Sequence, residues 1–351
     1  MVGLDELCRR FLAMADSARP RAPAQALLSA SIATMPDVAG LLLTAPDEQQ
    51  LPVLLLAALH DQVLLDPGCE LAGWYPTVTD TPRDDDPGPA IRRHVLRTEA
   101  AMRSTLSSCS TQTNEVGRCA TFLPALGLVA AELGPLALVD VGTSAGLNLR
   151  LDRYEYAYEP GGSVGVPSPV RLETSTRGAV PVPPALPMIT GRLGIDRAPI
   201  DLSDPAAVRW LRACVWPDQV DRFRRLAAAV AIADERPAEV WTADAVDALD
   251  AAVGHLAGSG HPVVMNSWVL NYLPTERRTA YLAELDRIGG GTDVTWIFAE
   301  SPAQAGGLPV PARLRHDELT VLGMVTWRSG ERRVHHLGTT HPHGYWLHWD
   351  A

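Results

Sequence analysis

The sequence predicts an α/β protein: a doubly wound, mainly parallel sheet with an antiparallel C-terminal edge, preceded by an all-α region. Three observations predict it. From about residue 134 onward, short apolar runs alternate with amphipathic helical stretches, the pattern of a parallel sheet with crossover helices. Residues 1–133 show only helical periodicity. The chain closes on β-like segments around Ser329-Gly330, a hairpin turn. These divide the 351 residues into a helical domain, 1–133, and a sheet domain, 134–351, with a Pro/Gly-rich insertion at about 157–187.

Taken in order, Leu4–Ala15, Pro23–Thr34, Pro36–Leu43 and Gln49–Leu65 read as Ala/Leu-rich helices, with Pro36 and Pro52 at first-turn positions. Asp80–Pro89 is a loop, and the stretch after it is an amphipathic helix with Ile91, Val95, Met102 and Leu106 on one face. A polar stretch, Ser108–Arg118, precedes a further helix, Val116–Leu133. There Thr113 or Asn114 suits an N-cap and Glu115 the positive helix end, while Asn114, Glu115 and Arg118 also suit a reach over a ligand.

Leu136–Val141 is an apolar run carrying one acid, Asp140, as expected of a strand buried on both faces. Gly142 ends it and Gly146 opens a helix expected over Leu147–Tyr158. A strand, a glycine-bearing turn and a helix present backbone N–H groups to an anion, provided no side chain stands in the way. Glu159–Pro187 is loop-like, and insertions of this kind tend to cover active sites. Further strands are expected at Pro187–Ile195, Ala238–Thr242, Pro262–Met265 and Val294–Ala299, with helices between them. Asp196, Asp244 and Asn266 fall at strand ends, which in such sheets face the ligand crevice. Asp196 and Asp244 suit plain helix caps equally well.

Composition narrows the chemistry. The net charge is −11, which argues against general nucleic-acid or anionic-membrane binding. All 30 basic residues are arginine, so Schiff-base, Walker and general-base lysines are excluded. The five cysteines form no Cys-x-x-Cys pair. His335, His336, His341, His343 and His348 lack the acid or cysteine spacing of a metal set, so no metal is expected. The start, Met-Val-Gly-Leu-Asp-Glu-Leu, has no signal-peptide pattern, and a cytoplasmic setting is the expectation.

From residue 134 the chain resembles class I S-adenosylmethionine-dependent methyltransferases. Val139-Asp-Val-Gly-Thr-Ser-Ala-Gly146 is similar to that family's first motif, with Ser144 in place of its middle glycine. The resemblance implies S-adenosylmethionine held by Asp140, Gly142, Thr143, Ser144, Gly146 and Asn148. It implies Asp196 on the ribose hydroxyls, and Asp244 with Ala245 at the adenine. Asn266–Pro274 takes the place of the fourth motif, near the transferred methyl. Glu115 or a nearby tyrosine is the expected base, with Asn114 and Asn266 beside it, and Arg118, Trp268 and Tyr272 shape the pocket of a small-molecule acceptor. The whole chain, through Thr111–Arg118 and Gly142–Leu149, also resembles an uncharacterised actinobacterial domain-of-unknown-function family. Two alternatives stay open: a methyltransferase-like binding or regulatory module without turnover, and an NAD(P)-dependent oxidoreductase. The latter needs Gly-x-Gly-x-x-Gly, a spacing that Gly142-Thr-Ser-Ala-Gly-Leu lacks. The sequence assigns no oligomeric state.

Overall fold

The computed structural model describes residues 3–317 and 319–351. The chain falls into two units, neither continuous in sequence: Met1–Thr113 with Asp201–Ala227, and Asn114–Ile200 with Ala228–Ala351. The boundary expected at residue 133 moves accordingly. The helix before the first strand belongs with the sheet, and helical material from beyond residue 200 belongs with the N-terminal helices.

The helical unit holds α1 (Leu4–Ala18), α2 (Pro23–Ala33), α3 (Pro36–Ala39), α4 (Pro52–Leu65) and α5 (Gly88–Ser108). Proline sits at the start of α2, α3 and α4, where its missing N–H costs nothing. Helix α4 is buried nearly all round because it forms the centre of a Leu- and Ala-rich core that includes Phe11, Ile32, Trp74 and Met102. Asp218 caps α2 across the chain, accepting from the N–H groups of Ala24 and Gln25 at 2.8 Å each.

The sheet unit opens with α6 (Cys119–Leu133) and β1 (Leu136–Val141). The helix expected over Leu147–Tyr158 is instead a 3-10 stretch, Leu147–Arg153, kinked at Arg150, followed by strand β2 (Glu155–Glu159). Tyr154, Tyr156 and Tyr158 recur with period two, and all three bury their rings on one side. Each hydroxyl donates to a carbonyl, of Leu147, Leu151 and Ala120 respectively, at 2.6–2.8 Å. The insertion expected as loop supplies β3 (Gly162–Val164) and β4 (Arg171–Arg177) and so extends the sheet. In β4, Leu172, Thr174 and Thr176 alternate inward.

The remaining elements follow the expected alternation: β5 (Ile189–Asp196), α7 (Pro205–Ala213, in the helical unit), α8 (Val220–Glu235), β6 (Glu239–Thr242), α9 (Ala245–His255), β7 (His261–Ser267), α10 (Thr275–Gly289) and β8 (Val294–Glu300). Strands β9 (Thr320–Arg328), β10 (Glu331–Thr340) and β11 (Trp346–Trp349) complete the sheet. Among the described residues it has eleven strands in the order β3-β2-β4-β11-β10-β9-β8-β7-β1-β5-β6. The block from β8 to β6 is parallel throughout, and β9 and β10 add the antiparallel pairings expected of the C-terminal segments. Val139, Val141, Val264, Trp296 and Phe298 point to the face packed by α9 and α10. Asp140 therefore points to the opposite face.

The order places β1 and β7 side by side at the centre of the parallel block, with Val141 opposite Asn266. Chain connection reverses direction there, which makes their carboxyl ends the crevice position of an open α/β sheet.

Candidate functional site

The turn after β1 is shaped by positive backbone φ at Gly142 (71°), Ser144 (53°) and Gly146 (70°). Ser144 pays a steric penalty in that region, and such strain persists where surroundings enforce it. What enforces it is Asp196: one carboxylate oxygen accepts from the Ser144 N–H at 2.8 Å and the other from the Ala198 N–H at 2.9 Å. Thr143 is buried over Gly194, where a Cβ would stand 2.4 Å from the threonine Cγ2. Its hydroxyl donates to Asp140 at 2.8 Å. Burial pushes the Asp140 carboxyl up to about 7; Asp196 adds to the rise, while the Thr143 hydroxyl and Arg118 oppose it.

The turn amides are largely engaged. Gly142 and Thr143 donate to the Ile195 carbonyl, Ser144 to Asp196, and Gly146 to the Thr143 carbonyl. A Cβ on Gly142 would lie 2.4 Å from Cγ2 of Val269, so that side chain takes the space the missing Cβ leaves. The seven-residue 3-10 stretch after Gly146 does not supply a helix N-terminus for an anion. Asn148 meets the buried Cys119 thiol, with Sγ 3.4 Å from its Oδ1.

Asp244 caps α9, accepting from the Val246 N–H at 2.9 Å, and pairs with Arg277. Arg277 and the cap hold its carboxyl below the usual range against the opposing effect of partial burial. Ala245 is the first residue of α9. The carboxyl ends of β1, β5 and β6 thus bring Asp140, Asp196 and Asp244 to one sheet edge.

At the end of β7, Asn266 is wholly buried. Its amide donates to Glu300 Oε1 at 2.7 Å, and its carbonyl oxygen accepts from Trp296 Nε1 at 2.6 Å and Tyr281 at 3.3 Å. Asn266 therefore holds Glu300 rather than facing a ligand. Glu300 Oε1 also accepts from the N–H groups of Val269 (2.9 Å) and Leu270 (3.4 Å), pinning the turn in which Trp268 has φ 55°. Burial pushes the Glu300 carboxyl up to about 7, opposed by these donors and by Arg118. Its Oε2 is a buried atom without a hydrogen-bond partner. Trp268 Nε1 donates to Thr320 Oγ1 at 2.9 Å, and Tyr272 is 76% exposed beyond the turn.

The polar stretch before α6 lies against these strand ends. Asn114 Nδ2 donates to the Thr143 carbonyl at 3.2 Å, and its Oδ1 is buried without a partner. Arg118 is buried and donates to two carbonyls, Pro342 at 2.9 Å through Nε and Ser267 at 3.0 Å through Nη1. Glu115 is only 2% exposed; its Oε1 accepts from the Gly117 N–H at 2.9 Å, and its Oε2 lies 3.7 Å from His343 Nδ1.

The sequence reading missed Glu300 and His343 as site residues. Glu300 ends an apolar run just as Asp140 interrupts one, so a signal for it was present. Nothing in the sequence signalled that His343 meets Glu115. Among the described residues, no three His, Cys, Asp or Glu side chains group to hold a metal ion.

The fold and site define an α/β protein whose order of chain connection reverses between β1 and β7 and which buries carboxyl groups at the carboxyl ends of the strands there. The chain belongs to a bacterial family: the model described as "uncharacterized protein conserved in bacteria (DUF2332)" matches residues 8–349. No curated protein and no solved structure matches the chain.

Proposed function

We propose that the sheet unit binds S-adenosylmethionine along the carboxyl edge of β1, β5 and β6 and transfers its methyl group to a small-molecule acceptor. One observation carries the reading. The Asp196 carboxylate stands half-buried at the end of β5, and each oxygen accepts one backbone N–H. A carboxylate has about four acceptor positions, so two remain for the ribose diol.

The fit to the cofactor is divided. The nucleoside half is supported by Asp196 and by the start of α9 at Asp244 and Ala245. The amino-acid half finds no cradle in the Gly142–Gly146 turn, whose amides are largely engaged and whose open side is taken by Val269. When bound, the cofactor supplies an electrophilic methyl group. The protein's share is orientation: Asp196 fixes the ribose, and the strained turn carrying Trp268 and the exposed Tyr272 offers surface to an acceptor.

Titration calorimetry with S-adenosylmethionine, S-adenosylhomocysteine and NAD tests this. The two sulfur ligands should bind, NAD should not, and Asp196→Asn should weaken binding about tenfold or more, the worth of hydrogen bonds to a charged acceptor. Absence of binding by both sulfur ligands removes the reading. A second reading, a binding or regulatory module without turnover, is favoured by Val269 at Gly142. Tight S-adenosylhomocysteine binding with no methyl transfer to any of a panel of small acceptors would select it.

A further inference from the structure

Two neighbouring turns of the sheet unit close on each other. Val141 of β1 and Asn266 of β7 are partners, so the turns after the two strands leave the sheet at the same level. Val269 stands against Gly142, where a Cβ would lie 2.4 Å from its Cγ2 and 3.1 Å from its Cγ1. The segment carrying Val269 is held unevenly. Leu270 is wholly buried in the core packed by α9 and α10 and anchors it. Trp268 and Val269 are half-buried, and Tyr272 is exposed. The Trp268 N–H donates to the Ala299 carbonyl at 3.1 Å, while the N–H groups of Val269 and Leu270 share one acceptor, Glu300 Oε1. The closed form carries two costs. Trp268, a residue with a Cβ, is kept in the left-handed region at φ 55°. Ser267 Oγ, Asn271 Oδ1 and Glu300 Oε2 are buried without hydrogen-bond partners, all within this turn or on the carboxyl that pins it. Water reaching them on opening would satisfy all three.

We propose that residues 267–272 are an autoinhibitory gate: Val269 closes the space over Gly142, and the gate opens when Trp268 leaves the left-handed region while Leu270 stays anchored. The backbone bonds that break are those of the Trp268 and Val269 N–H groups and of the Val269 carbonyl, which accepts from Tyr272. The register of β7 with β8 through Ser267 is kept. Relief of the strain at Trp268 and hydration of the three buried atoms offset the bonds lost. Withdrawal of Val269 uncovers Gly142, and the missing Cβ there lets a ligand approach the backbone closely. A filled cradle and ligand binding are then compatible. The ligand binds a minor open form, and its apparent affinity is lowered by the fraction of molecules that are closed. That the entering group is the amino-acid half of S-adenosylmethionine rests on the methyl-transfer reading; the gate does not.

Hydrogen exchange and ligand titration on the full chain test this. The Val269 amide, followed by NMR, should exchange about tenfold or more faster than the amides inside β1 and β7, because it is released by local opening. Exchange as slow as in those strands would overturn the gate. This measurement uses the wild-type chain and does not depend on any variant folding. Val269→Ala, checked for an unchanged circular dichroism spectrum, leaves the space over Gly142 open. It should bind S-adenosylhomocysteine about tenfold or more tighter than wild type by titration calorimetry. Equal or weaker binding by the folded variant would overturn the proposal. If neither form binds while Val269 exchanges as expected, S-adenosylmethionine falls as the ligand and the gate stands.

Discussion

The two units bury polar groups in opposite ways. In the helical unit, His60 is 1% exposed, yet both ring nitrogens are bonded: Nδ1 to the Ala213 and Val215 carbonyls, Nε2 to the Thr77 hydroxyl. Beside it the buried Asp61 accepts from Arg209 at 2.8 Å. Gln50 Oε1, Tyr75 Oη, His94 Nε2 and Arg212 Nε lack hydrogen-bond partners there; the first three belong to neutral groups, His94 being depressed below its usual range by burial, and the Arg212 guanidinium lies over the Phe223 ring at 4.4 Å. In the sheet unit, Glu115, Asp140 and Glu300 are all buried, and the buried arginine among them, Arg118, bonds carbonyls. Glu300 keeps one oxygen without a partner. A satisfied polar core is what stability alone requires. A buried carboxyl left partly unsatisfied costs free energy, and that cost marks the sheet unit's strand ends as the place to seek chemistry.

Removing the central cation should have the largest effect on this contrast. Arg118→Met strands the Pro342 and Ser267 carbonyls and takes the nearest cation from Asp140 and Glu300. We expect a loss of about 3 kcal/mol, measured by chemical denaturation. Arg209→Met in the helical unit should cost less, because Arg209 is partly exposed and water can replace it at Asp61. Equal losses would erase the distinction between the two units.

The response to pH should be smaller and opposite in sign in the two units. Asp140 and Glu300 titrate near 7 in the fold against reference values of 3.8 and 4.5, so the folded state binds protons the unfolded chain has released. Their contribution to stability is present below about pH 4 and is lost as pH rises to about 7. His60, lowered by burial to about 4, behaves the other way: its contribution is present above pH 6.5 and is lost as pH falls to about 4. His261, also lowered to about 4, works in the sheet unit in the same sense as His60 and offsets part of the carboxyl effect. Urea midpoints measured from pH 4.5 to 8 should show a sheet-unit transition that strengthens at alkaline pH in Asp140→Asn relative to wild type. A pH dependence unchanged by that substitution would mean the acid is not buried as described.

The smallest effect concerns strain. Ser329 sits at φ 51° in the β9–β10 hairpin, away from the strand ends, with its N–H bonded to Asp293 at 2.7 Å. Ser329→Gly should raise stability by about 0.5–1 kcal/mol. Trp268→Gly, at a similar φ of 55°, should lower it, because the indole bond to Thr320 goes with the ring. A gain at Trp268 would show that its strain is not compensated by its contacts.

The strand–helix alternation was legible from residue 189 onward because strands buried on both faces read as apolar runs, and Gly289, Gly290 and Gly291 punctuate them. The region from Leu147 to Arg177 was misread. Tyr154, Tyr156 and Tyr158 carried period two, but the Leu-rich start of the segment imitated a helix. In β4 the alternation was carried by Thr as well as Leu, and hydropathy hides threonine. Of the candidate site, the acids at strand ends were legible, whereas the engagement of their oxygens was not. Asp196 and Asn266 each turn out to hold a neighbouring turn or side chain.

By itself the sequence determined the class of fold, the absence of lysine chemistry and the strand ends that carry polar groups. These follow from local periodicity and composition, which neighbours in the chain suffice to express. Only the tertiary structure decided which unit each helix joins, that Val269 fills the space at Gly142, and that His343 comes to Glu115. Such pairings depend on strand order and on contacts between residues far apart in the chain, and no local pattern encodes them.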